Sequence, residues 1–581
     1  MDITYPQALA APPARATAPV PPPLSSRQKR ALVASSLGTA FEWYDFYLYG
    51  AMAALLAQRF FSGVDAGTGF VLALLTLAAG FIVRPAGALL FGRMGDLVGR
   101  KYTFIVTLVT MGLATFMIGL LPGYDAVGVA APVLLVVLRL MQGLALGGEY
   151  GGAAAYAAEH APAGRRGFYT AWLQATAALG LLLALLVVLG TRSVLGEAAF
   201  EHWGWRLPFL LSAVLLVAGA WLRRSMLESP AFRRVAEQGR LAQAPLAESL
   251  GRWRHLRLML LALFGLVAGQ AVVWYTGHFH VLLHLEQRLH LDAGTTAGLM
   301  TAALLLTLPM LLAAGALSDR VGRKPVIAAG LLLACVSFFP VFKAMAWVAH
   351  PALAQAQASV PVLVMADPAG CSAQWLPANG DTGSGSACDL ARRTLARFDA
   401  SFRLQALPPR AEAQVLIDGR PVPVPQIATG AAGPQRDSES VREIRAFRHT
   451  VAAALADAGY PAGRPALPPF SAAWWQMVGL LALLGLAVAL VYGPTAAMLA
   501  ELFPTRIRYT AISLPYHVGN GWFGGLMPTL TLALATSRGD TLQGLWYPVG
   551  VAALCLLIGW WGLPETRGRD LEAGEGMPAS A

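Results

Sequence analysis

Charge is scarce in this chain: of 581 residues only 13% are Asp, Glu, Lys or Arg, and 56% are hydrophobic. A soluble domain carries roughly 25% charge and about 45–50% apolar residues, so a water-soluble globule is excluded and the chain belongs in lipid. Cysteine is also rare, with four in all. No nucleophile motif, cofactor loop or metal cluster is present, which leaves an enzyme reading without support and predicts no cofactor. The Pro- and Ala-rich stretch Met1 to Ser26 lacks the charged start and apolar core of a signal peptide. It is expected to be disordered, with the first apolar helix as its own insertion signal.

What the chain does have is apolar length. Segments of about 20 apolar residues, enough to cross a bilayer, fall at 32–57, 69–91, 102–121, 129–152, 168–190, 205–222, 257–283, 295–317, 325–346, 473–499, 510–535 and 544–563. These are spans 1 to 12, and they predict an all-α polytopic membrane protein. With the N-terminus inside, the inner tails and loops, counting Arg257 at the edge of span 7, hold 24 Lys and Arg, whereas the short outer loops, counting Arg206 at the edge of span 6, hold five: Arg59, Arg192, Arg206, Arg288 and Arg538. Cationic loops stay cytoplasmic, so both termini are expected inside. The net charge of +11 then reports this bias and anionic lipid, and no nucleic-acid partner is implied.

A decapeptide occurs twice. Gly92 to Lys101 reads GRMGDLVGRK and Gly315 to Lys324 reads GALSDRVGRK, each between two apolar runs. Glu159-x-x-Pro162 with Arg165 and Arg166 is echoed by Glu501-x-x-Pro504 with Arg506 and Arg508, and Glu228-Ser229-Pro230 loosely by Pro564-Glu565-Thr566. Such pairs imply a duplicated membrane architecture. They also expose an insertion: Asp96 to Glu159 is 63 residues, whereas Asp319 to Glu501 is 182, an excess of 119. The expected organisation is a tail (1–30), a six-helix bundle (31–224), a cytoplasmic linker (225–255), helices 7–9 (256–345), a periplasmic insert (346–470), helices 10–12 (471–566) and a second tail (567–581).

Within the insert, PVLVM at 361–365 and AQVLIDGRPVPV at 413–424 with its Asp418-Gly419 turn read as strands. Ser440-x-x-Glu443 reads as a capping box opening a helix with Val441, Ile444, Val451 and Leu455 on one stripe, stopped at Gly459. A small α/β cap is therefore expected. Cys371 and Cys388, seventeen apart in this outer segment, are expected to form a disulfide in an oxidising periplasm, since no His or second Cys is near enough for a metal site. Cys335 and Cys555 sit in apolar spans and are expected to pack as small hydrophobes.

Ionisable residues inside a bilayer are functional candidates. Span 1 places Glu42, Asp45 and Tyr49 on one helical face. Asp45 and Glu42, with Glu149 on span 4, are the candidates for proton coupling. Arg84 on span 2 and Arg139 on span 4 are candidate partners for those carboxylates or for an anionic substrate, since guanidinium grips carboxylate through a planar fork. Arg139 opens a glycine stripe through Gly143 and Gly147 that lets another backbone approach closely. Gln174, Tyr516 and Asn520 add polar groups that line a cavity or bond between helices, as does His517. His278 and His280 on span 7 read as interfacial polar residues beside Trp274 and Tyr275. Gly92, Asp96 and Arg100, with Gly315, Asp319 and Arg323, are expected to latch an inner gate, the Asp capping a helix or pairing with a nearby Arg. Leu97 makes the first copy the weaker latch.

As a set, these motifs, with Glu42-Trp43-Tyr44-Asp45-Phe46, Arg139 through Gly152, Trp205-Arg206-x-Pro208-Phe209 and Tyr516 to Pro528, resemble the major facilitator superfamily. Within it they are similar to the metabolite:proton symporter family of proline/betaine, oxoglutarate, citrate and shikimate carriers. The resemblance covers about 450 residues; the insert departs from it, as does Leu97, where a cation is usual. It implies two six-helix bundles and a monomeric inner-membrane symporter that imports a small organic acid or zwitterion with protons. The alternative is a transporter-like receptor that senses a ligand through its insert; no signalling domain after Pro564 supports it.

Overall fold

The computed structural model describes residues 26–571 apart from 65, 163, 225–229, 240–243, 369–370, 372–385, 399, 409–410, 427–437, 462–466, 529, 532–533, 535–541 and 570. The expectations for the first tail up to residue 25, for Glu228 and Ser229, and for most of the second tail lie outside the described residues. Among the described residues nine helices are long and apolar enough to cross a membrane, or ten if Glu197–Gly204 and Arg206–Trp221, bent by 50°, count as one. Span 1 is helical over Ser26–Ala51, starting inside the expected tail, and continues after a kink as Ala53–Phe60. Span 11 is helical over Arg508–Val518 and Gly519–Gly524 before the undescribed positions interrupt it.

The helix boundaries follow local chemistry. Asp292 caps span 8 (Ala293–Val321) by accepting from Thr295 N at 2.9 Å, and Ser471 caps span 10 (Ala472–Leu502) by accepting from Trp474 N at 3.2 Å. The duplicated decapeptide is a duplicated turn: Gly99 at φ 117° precedes span 3 (Arg100–Leu120), and Gly322 at φ 112° precedes span 9 (Arg323–Ala349). Only glycine takes that conformation without strain, which explains its place in both copies.

Span 2 (Ala66–Ile82, then Arg84–Leu97) packs on span 4 (Ala130–His160) through glycine. A Cβ on Gly143 would strike the Gly80 carbonyl, and one on Gly147 the Arg84 carbonyl. The backbones are in contact, as the stripe predicts, and this sets Arg84 and Arg139 side by side. Span 5 (Arg166–Leu195) packs on span 1 within its half and on spans 8 and 10 of the other, while span 11 packs on spans 2 and 4. One apolar core runs through all of them. In the second half, span 7 (Trp253–Glu286) contains π-helical turns at Leu263–Val267 and Thr276–His280, and span 11 one at Gly519–Gly524. Such turns recur at functional sites.

The insert has its own core, separate from that of the spans. Its sheet has the order β2-β1-β3-β4, from β1 (Val362–Ala366), β2 (Arg403–Ala406), β3 (Gln414–Ile417) and β4 (Arg420–Pro423). β1 runs parallel to β2, with Val364 opposite Leu404, and antiparallel to β3, with Val364 opposite Val415. Helices Ala387–Arg397 and Ser438–Asp457 cover it, and Ile444, Val451 and Leu455 of the latter are buried. Cys371 and Cys388 are bridged, with Cα atoms 5.3 Å apart. Two readings need correction. The second helix opens at Ser438, so Ser440 lies inside its first turn and is not its cap. β2 was not anticipated, because all four of its residues are exposed and its partner lies some forty residues earlier, which leaves no alternation to read.

Candidate functional site

Asp45 is 3% exposed and accepts a 2.6 Å hydrogen bond from Ser212 Oγ of span 6 (Arg206–Leu210, Ser212–Arg224). Glu149 accepts from Thr39 Oγ1 of span 1 at 2.9 Å, and Glu42 is 1% exposed on span 1. Of the two roles open to Arg84 and Arg139, partner of these carboxylates or of an anionic substrate, neither arginine makes the first as a direct ion pair. Arg139 donates to Gln142 Oε1 at 2.6 Å, Gln142 Nε2 donates to Thr115 Oγ1 at 2.6 Å, and Thr115 adjoins Asp45. A polar relay thus links Arg139 toward Asp45 in place of a direct salt bridge, and an aromatic layer fills the gap. The Arg84 guanidinium lies 4.3 Å from the centroids of Phe46 and Phe81, and that of Arg139 lies 4.7 Å from Phe46 and 4.4 Å from Tyr49. These are cation–π distances. Tyr49 in turn donates to Ala73 O at 3.0 Å.

Arg84 is the anomaly. It is fully buried, and none of its three guanidinium nitrogens meets an acceptor; the Tyr275 hydroxyl lies beside it without hydrogen-bond geometry. A buried cation in that condition is costly unless an anion joins it in the working cycle.

The second half supplies the facing wall. Tyr516 stacks on Tyr150 with centroids 3.3 Å apart, and its hydroxyl shares a 3.0 Å hydrogen bond with Tyr492. Gln174 donates to Tyr492 O at 2.9 Å, and Asn520 to Gln270 Oε1 at 3.2 Å. Tyr47 of span 1 stacks between Trp43 at 5.1 Å and Trp274 at 5.5 Å. The sequence reading put Gln174, Tyr516 and Asn520 here but missed Gln270, Tyr47, Tyr492, Thr39 and Ser212. Of these, Gln270 was findable as a lone amide in an apolar run. The sequence reads His278 as an interfacial residue beside Trp274; it does lie against Trp274, stacked at 4.4 Å with Nδ1 3.0 Å from Trp274 O, but it is buried at 3% exposure because its helix face packs inward.

Both decapeptide aspartates lie at the face opposite the insert, and each caps a helix of the other half. Asp96 accepts from Thr510 N at 3.1 Å and Thr510 Oγ1 at 2.7 Å, at the start of span 11. Asp319 accepts from Gly167 N and Phe168 N, both at 2.8 Å, at the start of span 5. Carboxylates at helix N-termini satisfy orphan N–H groups and oppose the helix dipole. Arg323 braces the second cap, donating to Asp319 at 2.7 Å and to Glu501 at 3.2 Å, while Arg508 donates to Glu159 at 2.6 Å across the halves. Glu565, beyond span 12 (Gln543–Gly562), accepts from Arg323 N and Lys324 N; burial pushes its carboxyl up, but these and two further backbone N–H groups hold it below the usual range. Gly92 packs against Thr510, and Gly315 against Gly167 and Ala171. Arg100 opens span 3, and its side chain lies outside the described residues.

At the insert face the halves part. A cleft of about 720 Å³ is lined by Gly50, Arg192, Glu197, Glu286, Asp292 and Ala297. The aromatic layer closes its floor, where Phe279 fills the space beside Gly50. Caps that cross the halves close one face, a cleft opens the other, and a buried polar layer lies between.

The family model "Sugar (and other) transporter" matches residues 30–258 and 462–577. A putative metabolite transport protein of Haemophilus influenzae is 30% identical over 545 residues, which is 94% of this chain and 95% of that protein. The glycine betaine/proline/ectoine/pipecolic acid transporter OusA of Dickeya dadantii is 37% identical over 52% of this chain, and the alpha-ketoglutarate permease of Escherichia coli 37% identical over 55%. The match spans 62% of OusA and 73% of the permease. The solved proton:xylose symporter XylE, bound to 6-bromo-6-deoxy-D-glucose, superposes with a TM-score of 0.60 over 95% of this chain and 98% of its own at 16% identity, a shared fold. The chain therefore belongs to the sugar (and other) transporter family, with the fold of the major facilitator symporter it superposes on.

Proposed function

We propose that the protein is a proton-coupled symporter of the bacterial inner membrane that imports a small organic acid or zwitterion by alternating access, as a monomer with both termini in the cytoplasm. The observation that carries this reading is the asymmetry of the interface: cross-half helix caps close the decapeptide face while a cleft opens at the insert face, around a buried layer holding Asp45 and an uncompensated Arg84. Two bundles rocking about a central site would exchange these two faces. Asp45 is the coupling site: its carboxylate binds Ser212 of span 6, so protonation changes a contact between helices and biases the bundle. Glu42 and Glu149 are secondary coupling candidates, Arg84 and Arg139 hold anionic charge, and Tyr49, Gln174, Tyr516 and Asn520 line the site. The relatives' printed substrates, among them betaine, proline and alpha-ketoglutarate, all carry a carboxylate, in keeping with the arginines.

Proteoliposomes with an imposed pH gradient test this, using proline, glycine betaine, alpha-ketoglutarate and shikimate as solutes. Wild type is expected to concentrate at least one of them, and Asp45→Asn to lose gradient-driven uptake while keeping solute exchange. Intact gradient-driven uptake by Asp45→Asn would remove Asp45 from the coupling role.

A further inference from the structure

One side chain in this layer has no role in the reading above. His517 of span 11 is 1% exposed, and neither of its ring nitrogens has a hydrogen-bond partner. Its ring stands edge-on to Tyr150 at 6.5 Å and to Tyr516 at 5.2 Å, contacts that leave both nitrogens idle. A buried imidazole in that state forgoes hydrogen bonds that water supplies in the unfolded chain. Spans 2 and 11 touch one turn from it, where a Cβ on Gly521 would lie 3.9 Å from Pro85 Cδ, so Arg84, the residue before Pro85, falls within electrostatic reach of the ring, and none of its guanidinium nitrogens has an acceptor either. Gln270 of span 7 is a third such group: its Oε1 accepts from Asn520, one turn from His517, and its Nε2 is unused. Three elements from both halves thus present donors without acceptors. The guanidinium offers up to five N–H groups, the amide two and a neutral imidazole one. What completes such a set is an acceptor with negative charge, and a carboxylate matches the guanidinium fork.

We propose that His517 and Arg84 together bind one carboxylate of the substrate, with Gln270 Nε2 as a further donor, so that the anion itself links the two halves. This rests on the symport reading and deepens it by naming the substrate group and its anchor in the second half. Arg84 belongs to the first bundle and His517 to the second, so occupancy favours the state in which both reach the same anion. An anion held between them also offsets the two cations that lie near Phe46, which ties closure to loading.

The test is equilibrium binding to the purified full-length chain in lipid nanodiscs, with proline, glycine betaine, alpha-ketoglutarate and shikimate as probes. The probe bound best is compared with its carboxamide analogue in wild type, His517→Leu and His517→Gln. His517→Leu is expected to weaken the carboxylate probe by about tenfold through loss of one charge-assisted hydrogen bond, and to leave the weaker carboxamide unchanged. His517→Gln, which keeps a donor of similar reach, is expected to retain most of the affinity, and a monodisperse, wild-type melting profile for it guards against misfolding. Wild-type affinity in both variants, or an equal loss for acid and amide, would overturn the proposal and leave the symport reading standing. Failure of wild type to bind any of the four carboxylates would overturn both.

Discussion

Removing the Asp319 carboxylate should loosen the closed face by a calculable amount. In the closed state Asp319 caps span 5 through Gly167 N and Phe168 N and takes a third hydrogen bond from Arg323. A lost N-cap costs roughly 1 kcal/mol, and a charge on a helix N-terminus adds about 0.3–1 kcal/mol. Arg323 keeps Glu501 and Ser318, so its contribution is set aside. The cap crosses the two halves, so it exists only when this face is closed, and the whole sum of about 1.5 kcal/mol shifts the closed-to-open equilibrium. That is about tenfold toward opening. Ser513 reports it: fully buried on span 11 against Gly151 of span 4, a cysteine there reacts only when the face opens. In a background with Cys335 and Cys555 replaced, Ser513→Cys should be alkylated by a membrane-impermeant maleimide in inside-out vesicles about ten times faster when combined with Asp319→Ala. A change under twofold would refute the view that the decapeptide acts as a latch.

Three other outcomes are expected. Glu565 has a depressed folded carboxyl, so its stabilising effect is complete above the ordinary value of 4.5 and fades as pH falls from there through the lower folded value; thermal melts between pH 7 and 3.5 should show this loss in wild type and a flatter profile in Glu565→Gln. Gly147→Val should lower stability by about 1–3 kcal/mol or more, since its side chain strikes the Arg84 carbonyl, and a wild-type melting temperature would contradict the close contact of spans 2 and 4. Mass spectrometry of unreduced peptides should recover Cys371 linked to Cys388, a bridge worth about 3 kcal/mol by loop closure; two free thiols would contradict the bridge and the periplasmic placement together.

Periodic and local features were legible without coordinates. The apolar runs, the duplicated glycine turn, the size and position of the insertion, the strands at 361–365 and 413–424 and the glycine stripe of span 4 each depend on neighbours in the chain or on a pattern it repeats. Membership of a buried polar layer was legible residue by residue, because an Asp, Arg, Gln or Asn in a long apolar run has few other places to go. Pairing was not. Asp45 and Arg139 seemed natural partners, yet Ser212, 167 residues away, takes Asp45, and Gln142 with Thr115 stands between it and Arg139. Likewise Asp96 and Asp319 were assigned to a latch, but the helix each caps lies 414 and about 152 residues away, in the opposite half. By itself, then, the sequence determined that this chain crosses a membrane as two related halves with charge buried at chosen depths. Tertiary structure alone decided which buried charges are satisfied, since that depends on the packing angle between halves, and it left Arg84 and His517 in one layer, each without a hydrogen-bond partner.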